Sequence, residues 1–463
     1  KPGHELTADV TWNRGSNENT ANINTAFFAL PSRSFIKDST QLQLGSGENK
    51  NLILQTDYTK PLSENSKIEF GARASIREVS SRNQFYKKNV ENSLYFPSGN
   101  NVLYNSSDKV YAAYTTFSNR IKNFGYQLGL RVESSDYSGD LLTTKQTFNI
   151  KFPFSFFPSV FISQKISEND ELQFNYSRRV NRPNFFQLLP FIDSCDLLNV
   201  SVGNPGLNPE FTNSLEASYS KLFQNRDNLL FSAYFKNTTD LITRFQTIDP
   251  TISKEGIVNT YINANRSFVT GLEVTARNKI SKWWDMTSNI NLFTGRIDVD
   301  GQPRADMFPS YFIKLNNSFK LPKNFTFQLS GEYQSKIVSS PGGGGRGGGG
   351  GGPFGGGGGM FGGGNTASQG FIRPNYGVDA ALRFEFLKNK VAALSLNVND
   401  IFRTRLYDAF SQSSFFEQNI QRRRDPQVFR LNFSFRFGKF DANLFKRRNT
   451  KAEGNVETGG GNL

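Results

Sequence analysis

The 463 residues contain one cysteine, Cys195, and one histidine, His4. A lone cysteine excludes an intrachain disulfide framework and a cysteine-based zinc site. A lone histidine excludes multi-histidine metal centres and argues against a Ser-His-Asp triad. Its place ahead of a strand pattern suits a solvated turn. Long apolar runs are missing as well. Nothing approaches the roughly 18 consecutive apolar residues of a spanning helix, so a helical membrane protein is excluded. Apolar residues make up only 37% of the chain, yet aromatics reach 14%, with 45 Phe and 16 Tyr. That is far too rich for a disordered chain. Such a balance calls for an architecture that shows apolar groups on one face only.

The charge is basic, 54 Lys+Arg against 40 Asp+Glu, formally +14. Nucleic acid, anionic lipid and acidic ligands all suit that sign. The cations are spread along the chain, however, and the basic stretch 421–424 reads as a charged loop face, so no nucleic-acid partner is expected. No carboxylate pair, Cys-His arrangement or metal-ligand spacing stands out, so neither an enzyme nor a cofactor or metal site is expected.

What the sequence does have is period-two alternation, repeated many times. Ile68, Phe70, Ala72, Ala74 and Ile76 oppose Lys67, Glu69, Gly71, Arg73, Ser75 and Arg77. Leu128, Leu130 and Val132 oppose Gln127, Gly129, Arg131 and Glu133. Leu172, Phe174 and Tyr176 form another apolar row, as do Leu229, Phe231, Ala233 and Phe235. Leu272, Val274 and Ala276 oppose Glu273, Thr275 and Arg277, and Leu382, Phe384 and Phe386 oppose Arg383 and Glu385. The last row is Phe429, Leu431, Phe433, Phe435 and Phe437. None of these rows contains a charge. The faces of 109–117 are not assignable. About sixteen strands of roughly 9–12 residues emerge, the length a tilted strand needs to cross a bilayer.

The connections alternate between short and long. Short ones fall at 61–66, 120–123, 167–170, 223–227, 281–282, 321–324 and 387–390. Long ones fall at 80–107, 136–145, 181–210, 238–267, 294–309, 338–375 and 400–426. Tight periplasmic turns and extended extracellular loops are the mark of an outer-membrane barrel. The first strand, 5–13, then runs outward, and 14–50 is extracellular with room for its own hairpin. Charge-free faces over long strands, no covering helix and the need to close so many edges favour this barrel over a soluble sandwich. The polar face, with Arg73, Arg77, Arg131, Glu133, Glu216, Glu273, Arg277, Asp379, Arg383, Glu385 and Arg436, looks into a wet lumen. There these groups either pair with one another or meet ligand.

The predicted organisation is an all-β, antiparallel transmembrane outer-membrane β-barrel over 1–445 with a polar periplasmic tail over 446–463. Within it, 338–375 is an extracellular loop carrying the Gly run 342–364, which holds 18 of the 41 glycines. The run lacks the Lys-Ser/Thr of a phosphate loop. It reads as a flexible insertion or, alternatively, a mobile lid tipped by Phe and Met.

Several motifs resemble those of TonB-dependent outer-membrane receptors. They are Tyr176-Ser177-Arg178-Arg179-Val180-Asn181-Arg182-Pro183, then Gly203-Asn204-Pro205-Gly206-Leu207-Asn208-Pro209-Glu210 followed by Leu215-Glu216. Gly129-Leu130-Arg131-Val132-Glu133, Asn399-Asp400-Ile401-Phe402 and the closing Phe435-Arg436-Phe437-Gly438-Lys439 complete an ordered set across most of the chain. The resemblance implies a 22-stranded barrel around an N-terminal plug. With about sixteen strands here, some six strands, the plug and the TonB-contacting box are expected outside this sequence. The chain begins without Met and enters a strand pattern at once, which reads as part of a longer exported protein. In the loop motif Pro205 and Pro209 stiffen the return to the rim, and Glu210 is expected to pair with Arg178, Arg179 or Arg182.

The leading functional reading is an importer in the Gram-negative outer membrane, driven through TonB, that takes up a ligand bound at its extracellular loops. A passive porin is the second reading. A surface binding or assembly barrel without transport, holding for instance a surface lipoprotein, is the third. Candidate ligand-contacting residues are Arg178, Arg179 and Arg182 with the loop aromatics Phe185, Phe186, Phe415 and Phe416. The aromatics can stack on a flat ligand or pack loop against loop. Partners expected are outer-membrane lipid, the TonB system and an extracellular ligand of unread identity.

Overall fold

The computed structural model describes residues 3–29, 31–89, 93–97, 101–188, 190, 192–193, 199–252, 257–298, 309–339, 370–412, 417–423 and 427–437. Sixteen strands form one antiparallel wall in chain order. They are β1 Glu5–Phe28, β2 Phe35–Pro61, β3 Ser66–Lys88, β4 Val102–Ile121, β5 Phe124–Leu141, β6 Gln146–Lys165, β7 Asp170–Asn181 and β8 Glu210–Leu222. Then come β9 Asn228–Thr247, β10 Ile257–Lys279, β11 Trp284–Asp298, β12 Ser310–Leu321, β13 Phe325–Gln334, β14 Asn375–Phe386, β15 Ala392–Asn399 and β16 Val428–Phe435. Each pairs antiparallel with the next. Among the described residues β1 pairs only with β2 and β16 only with β15. The wall is therefore open between those two edges.

The apolar rows face outward. Phe70, Leu130, Phe231, Leu382 and Phe433 are all exposed, while on the alternate face Tyr234 and Phe293 are buried. Pairing settles the faces of β4. Thr115 and Phe117 lie opposite Leu130 and Leu128 and so point out, whereas Ala112 and Tyr114 lie opposite Glu133 and Arg131 and point in. At the turn end of β11–β16 the outward rings form a belt. Trp284 meets Phe319 at 5.7 Å, Phe319 stacks on Phe327 at 6.0 Å and Phe325 on Phe384 at 4.5 Å. Rings of this kind suit the membrane interface, being apolar in body with a polarisable edge.

The tight turns are built as their residues dictate. Lys122 with φ 52°, Lys323 with φ 58° and Asn324 with φ 64° take the left-handed conformation that reverses the chain in few residues. At 166–169 Ser167 Oγ donates to Asp170 at 2.6 Å and closes the turn.

The long connections differ from the sequence reading. The expected first strand 5–13 is the lower part of a 24-residue strand, and 14–50 is the upper part of the β1–β2 hairpin, in register from Glu5 opposite Thr59 to Phe27 opposite Lys37, with a shift of one residue before Phe28 meets Phe35. Most of 80–107, 136–145 and 238–267 likewise continues the wall as strand, as does 294–298. Outside the membrane both faces meet water, so polar residues such as Asn17, Glu18 and Asn19 occupy the ladder on either side and the alternation vanishes. The backbone hydrogen bonds, which do not depend on it, go on.

Above β13–β16 the wall gives way to a separate four-stranded sheet of Ile337–Ser339, Gly370–Ile372, Tyr407–Gln412 and Glu417–Arg422. The run 342–364 and the tail 446–463 lie outside the described residues.

Candidate functional site

The rim at the long-connection end of the wall holds the described candidate residues, and three built features shape it. The first is the return of segment 182–209. Asn184 and Gln187 cap one another across the short helix Phe185–Leu188, each side chain accepting from the other's backbone N–H at 2.8 and 3.0 Å. The loop motif then fastens the segment to the tall β9–β10 hairpin. The Asn204 amide N–H donates to Gln187 O at 2.7 Å and its Nδ2 to Tyr261 O at 2.9 Å. Asn208 N–H donates to Asn263 Oδ1 at 2.8 Å, and Asn263 Nδ2 returns a bond to Asn208 O at 2.9 Å. Leu207 is fully buried beneath the clip, and Asn199–Val202 lies parallel beside Ile257–Asn259.

Glu210 does not pair with any of the three arginines. Its carboxylate accepts from Asn181 Nδ2 at 2.6 Å and from the backbone N–H of Ile242 at 2.8 Å. Asn181 is its direct cross-strand neighbour, so the amide is nearer than any guanidinium.

The second feature is a buried ion cluster. Arg182 reaches across to Glu133, which Arg131 holds from its own strand, and Glu133 is only 8% exposed. One carboxylate between two guanidiniums leaves a net positive charge on the lumen side of the rim. The other two candidate arginines go separate ways. By alternation Arg179 faces the lumen, within electrostatic reach of Lys236. Arg178 follows Tyr176 to the outer face and lies over the Phe211 ring at 4.7 Å.

The third feature was not singled out in the sequence. Arg405 is clamped bidentately by Asp379, at 2.6 and 2.8 Å, and donates through Nε to Glu332 at 2.9 Å. Asp400 sets this up. Its carboxylate accepts from the backbone N–H groups of Thr404 and Arg405 at 2.9 and 3.1 Å, and its own N–H donates to Asp379 at 2.8 Å. Burial alone would lower the proton affinity of Arg405, but its bonds to Asp379 and the charge of Glu332 raise it above the ordinary guanidinium value. Gly377 leaves the room for the Arg405 side chain to lie flat against the wall. The clamp pins the point where β15 breaks off and the four-stranded sheet begins. Only the Asn399-Asp400 motif hinted at it.

The backbone of Phe185 and Phe186 forms the capped turn of helix, while Phe415 and Phe416 lie outside the described residues. Among the described residues no group of three or more His, Cys, Asp or Glu is placed to hold a metal ion. The chemistry the rim offers is electrostatic and hydrogen-bonding.

The model of the outer membrane protein β-barrel family matches residues 1–345 and 357–435. The chain belongs to that family, and it lies in the Gram-negative outer membrane, crossing it many times with strands. No curated protein matches the sequence. Among solved structures it is similar to the pyoverdine outer-membrane receptor FpvA of Pseudomonas aeruginosa bound to pyoverdine, with 14% identity and a TM-score of 0.62 over 93% of this chain and 59% of that one. It is similar to the ferric-catecholate import receptor Fiu of E. coli, with 14% identity and a TM-score of 0.55 over 94% and 64%. It is also similar to the copper transporter OprC, with 12% identity and a TM-score of 0.60 over 94% and 64%. At such identities the likeness is one of fold, the barrel fold of TonB-dependent receptors that the sequence motifs resemble. The chain spans less than two thirds of the length of these structures.

Proposed function

We propose that this member of the outer membrane protein β-barrel family forms part of the barrel of a TonB-dependent receptor that takes up a ligand bound at its extracellular rim. The observation that carries this reading is the open edge. A backbone edge left unpaired in lipid costs several kcal/mol for each unsatisfied group. Sixteen strands would suffice for a passive porin if the wall closed on itself, but β1 and β16 are not joined among the described residues. Further strands between those edges account for the gap, and the wall then has the circumference of a receptor. The matched structures are receptors and transporters, which agrees with this and gives no support to an enzyme. The tall wall, the clip between the 204–208 motif and the β9–β10 hairpin, and the positive Arg131–Glu133–Arg182 cluster with Arg179 supply a cupped vestibule with a locally basic side suited to an anionic or metal-chelate ligand. In this reading Arg179 faces the ligand, the Arg131–Glu133–Arg182 cluster shapes the vestibule floor, and the TonB system and a plug are partners.

Planar-bilayer conductance of the full-length protein separates the three readings. A plugged receptor gives no steady conductance until the plug is unfolded by low concentrations of urea. A porin conducts steadily from the start. A surface assembly barrel copurifies with a stable extracellular partner, and deleting its gene leaves energised uptake intact.

A further inference from the structure

One row of residues crosses five neighbouring strands on the outward face. Arg178 of β7 lies opposite Asn213 of β8, Asn213 opposite Asn237 of β9, Asn237 opposite Phe268 of β10, and Phe268 opposite Arg296 of β11. Three of these five leave a buried polar atom without a hydrogen-bond partner: Arg178 Nε, Asn237 Oδ1 and Arg296 Nε. Native structures rarely orphan such groups; the three atoms are themselves enclosed, so a partner from outside the chain meets the more exposed parts of these side chains, Arg296 being 36% exposed. The two guanidiniums are held flat, Arg178 over Phe211 at 4.7 Å and Arg296 over Phe268 at 5.5 Å. Arg296 also pairs with Asp298 at 2.9 Å, and Arg266 stands opposite Asp298 on the adjacent strand. Among the described residues three arginines stand against one aspartate in this patch.

Directly below the row the same face is apolar and dented. Ala217 and Ala233 sit side by side between Phe174 and Leu272, with Leu215 and Phe235 above them. Small residues flanked by large ones open a shallow groove of about 500 Å³. The depth is informative. From Leu229, beside the periplasmic turn, to Asn237 is eight residues, roughly 20 Å along the membrane normal for a strand tilted near 40°. The apolar band of such barrels is about 25 Å tall. The row therefore lies at the head-group boundary of the outer leaflet, and the groove among the acyl chains. Four strand spacings separate Arg178 from Arg296, about 19 Å, enough for a head group wider than that of a two-chain phospholipid.

We propose that β7–β11 carry a specific site for a phosphorylated, multi-acylated glycolipid of the outer leaflet. Arg178 and Arg296 bind its phosphates, for which a guanidinium supplies a planar pair of donors. Asn213 and Asn237 between them meet the sugar hydroxyls, and the Ala217–Ala233 dent takes an acyl chain. The site is independent of the ligand-uptake reading, because it lies on the opposite face of the wall.

Native mass spectrometry of the full-length protein in detergent, loaded with defined lipids, tests this. The probes are diphosphorylated hexa-acyl lipid A, the same lipid dephosphorylated, and phosphatidylglycerol. The wild type is expected to retain the diphosphorylated lipid roughly 10-fold better than either comparison lipid, the scale of one to two charge-assisted hydrogen bonds. R178Q/R296Q removes that preference, and A233F lowers retention by filling the dent. Heat-modifiable gel migration shows that each variant is folded, and the wild-type preference stands whether or not the variants fold. Equal retention of phosphatidylglycerol or of the dephosphorylated lipid overturns the proposal. So does a preference that survives R178Q/R296Q, or displacement of the lipid by inorganic phosphate.

Discussion

The lower and upper halves of the same strands obey different rules. In the lower half of β3, Phe70, Ala72 and Ala74 face out while Arg73 and Arg77 face in, and the hydrocarbon outside enforces the contrast. In the upper half of β1 and β2 water lies on both sides, and Gly15, Asn17 and Glu18 pair with Asn49, Gly47 and Ser46 without any apolar face. At about 3.3 Å per residue and a 40° tilt, the 24 residues of β1 rise roughly 60 Å, twice the hydrocarbon thickness. Alternation thus records where the lipid is, and the hydrogen-bonded ladder records where the strand is. The upper wall is held instead by side-chain devices: the Arg405 clamp, the Glu133 cluster, the Asn204–Asn263 clip and a small buried cluster of Val102, Tyr104 and Leu141.

The largest expected effect breaks one of those devices. Arg405→Ala leaves the buried Glu332 carboxylate and the half-buried Asp379 carboxylate facing each other with no cation between them, and breaking a buried ion pair from one side costs up to about 3–5 kcal/mol. The loss should be local. Limited proteolysis should cut within 400–427 while heat-modifiable migration of the barrel persists. If R405A resists protease as the wild type does, the upper sheet does not hang on the clamp.

Next comes the lipid face. Lys at Phe231, Leu130 or Leu382 should cost about 2–4 kcal/mol near the midplane, measured by reversible urea unfolding in lipid vesicles. Lys at Phe28, an exposed ring at the top of the β1–β2 hairpin, should cost little because water already surrounds it. Equal costs would erase the distinction between the two halves.

A smaller effect is expected inside the lumen. The Tyr114 ring lies flat over Gly71, its direct cross-strand partner, and its hydroxyl donates to Asp57 Oδ1 at 2.6 Å. Gly71→Val pushes the ring off, with an overpacking cost of about 1–3 kcal/mol. Tyr114→Phe in the same background should then be nearly neutral, since the hydroxyl bond is already lost.

The smallest effect is expected from shortening 342–364. Loop-closure entropy changes by only about 0.6 kcal/mol per doubling of length, so deletion should leave the barrel's unfolding midpoint unmoved. A folding defect would mean that the segment packs against the wall.

What could be read in advance follows from the same division. The sixteen strands and the outward rows were legible because lipid imposes a period of two. Tyr111 in an outward row and Phe161 in an inward one blur that pattern, and β4, with Tyr, Ala and Thr on both faces, offered no contrast. The tall extensions were illegible because a polar strand in water has the composition of a loop. Motifs located the rim but misassigned its partners. Glu210 looked for an arginine, yet the ladder put Asn181 beside it. Arg405 looked like one of many loop cations, because the acids that clamp it stand 26 and 73 residues away. Arg178 and Arg179 looked like a pair, and strand geometry sends adjacent residues to opposite faces.

The central claim is that β1 and β16 are separated in the native protein by further wall. Spin labels at Val10 and Leu431 of the full-length protein, with Cys195→Ser, measure that separation by double electron–electron resonance in lipid nanodiscs. A wall with several strands between the two edges places the labels beyond about 20 Å. A distance near 5 Å, the spacing of hydrogen-bonded neighbours, would mean that sixteen strands close on themselves and would contradict the receptor account.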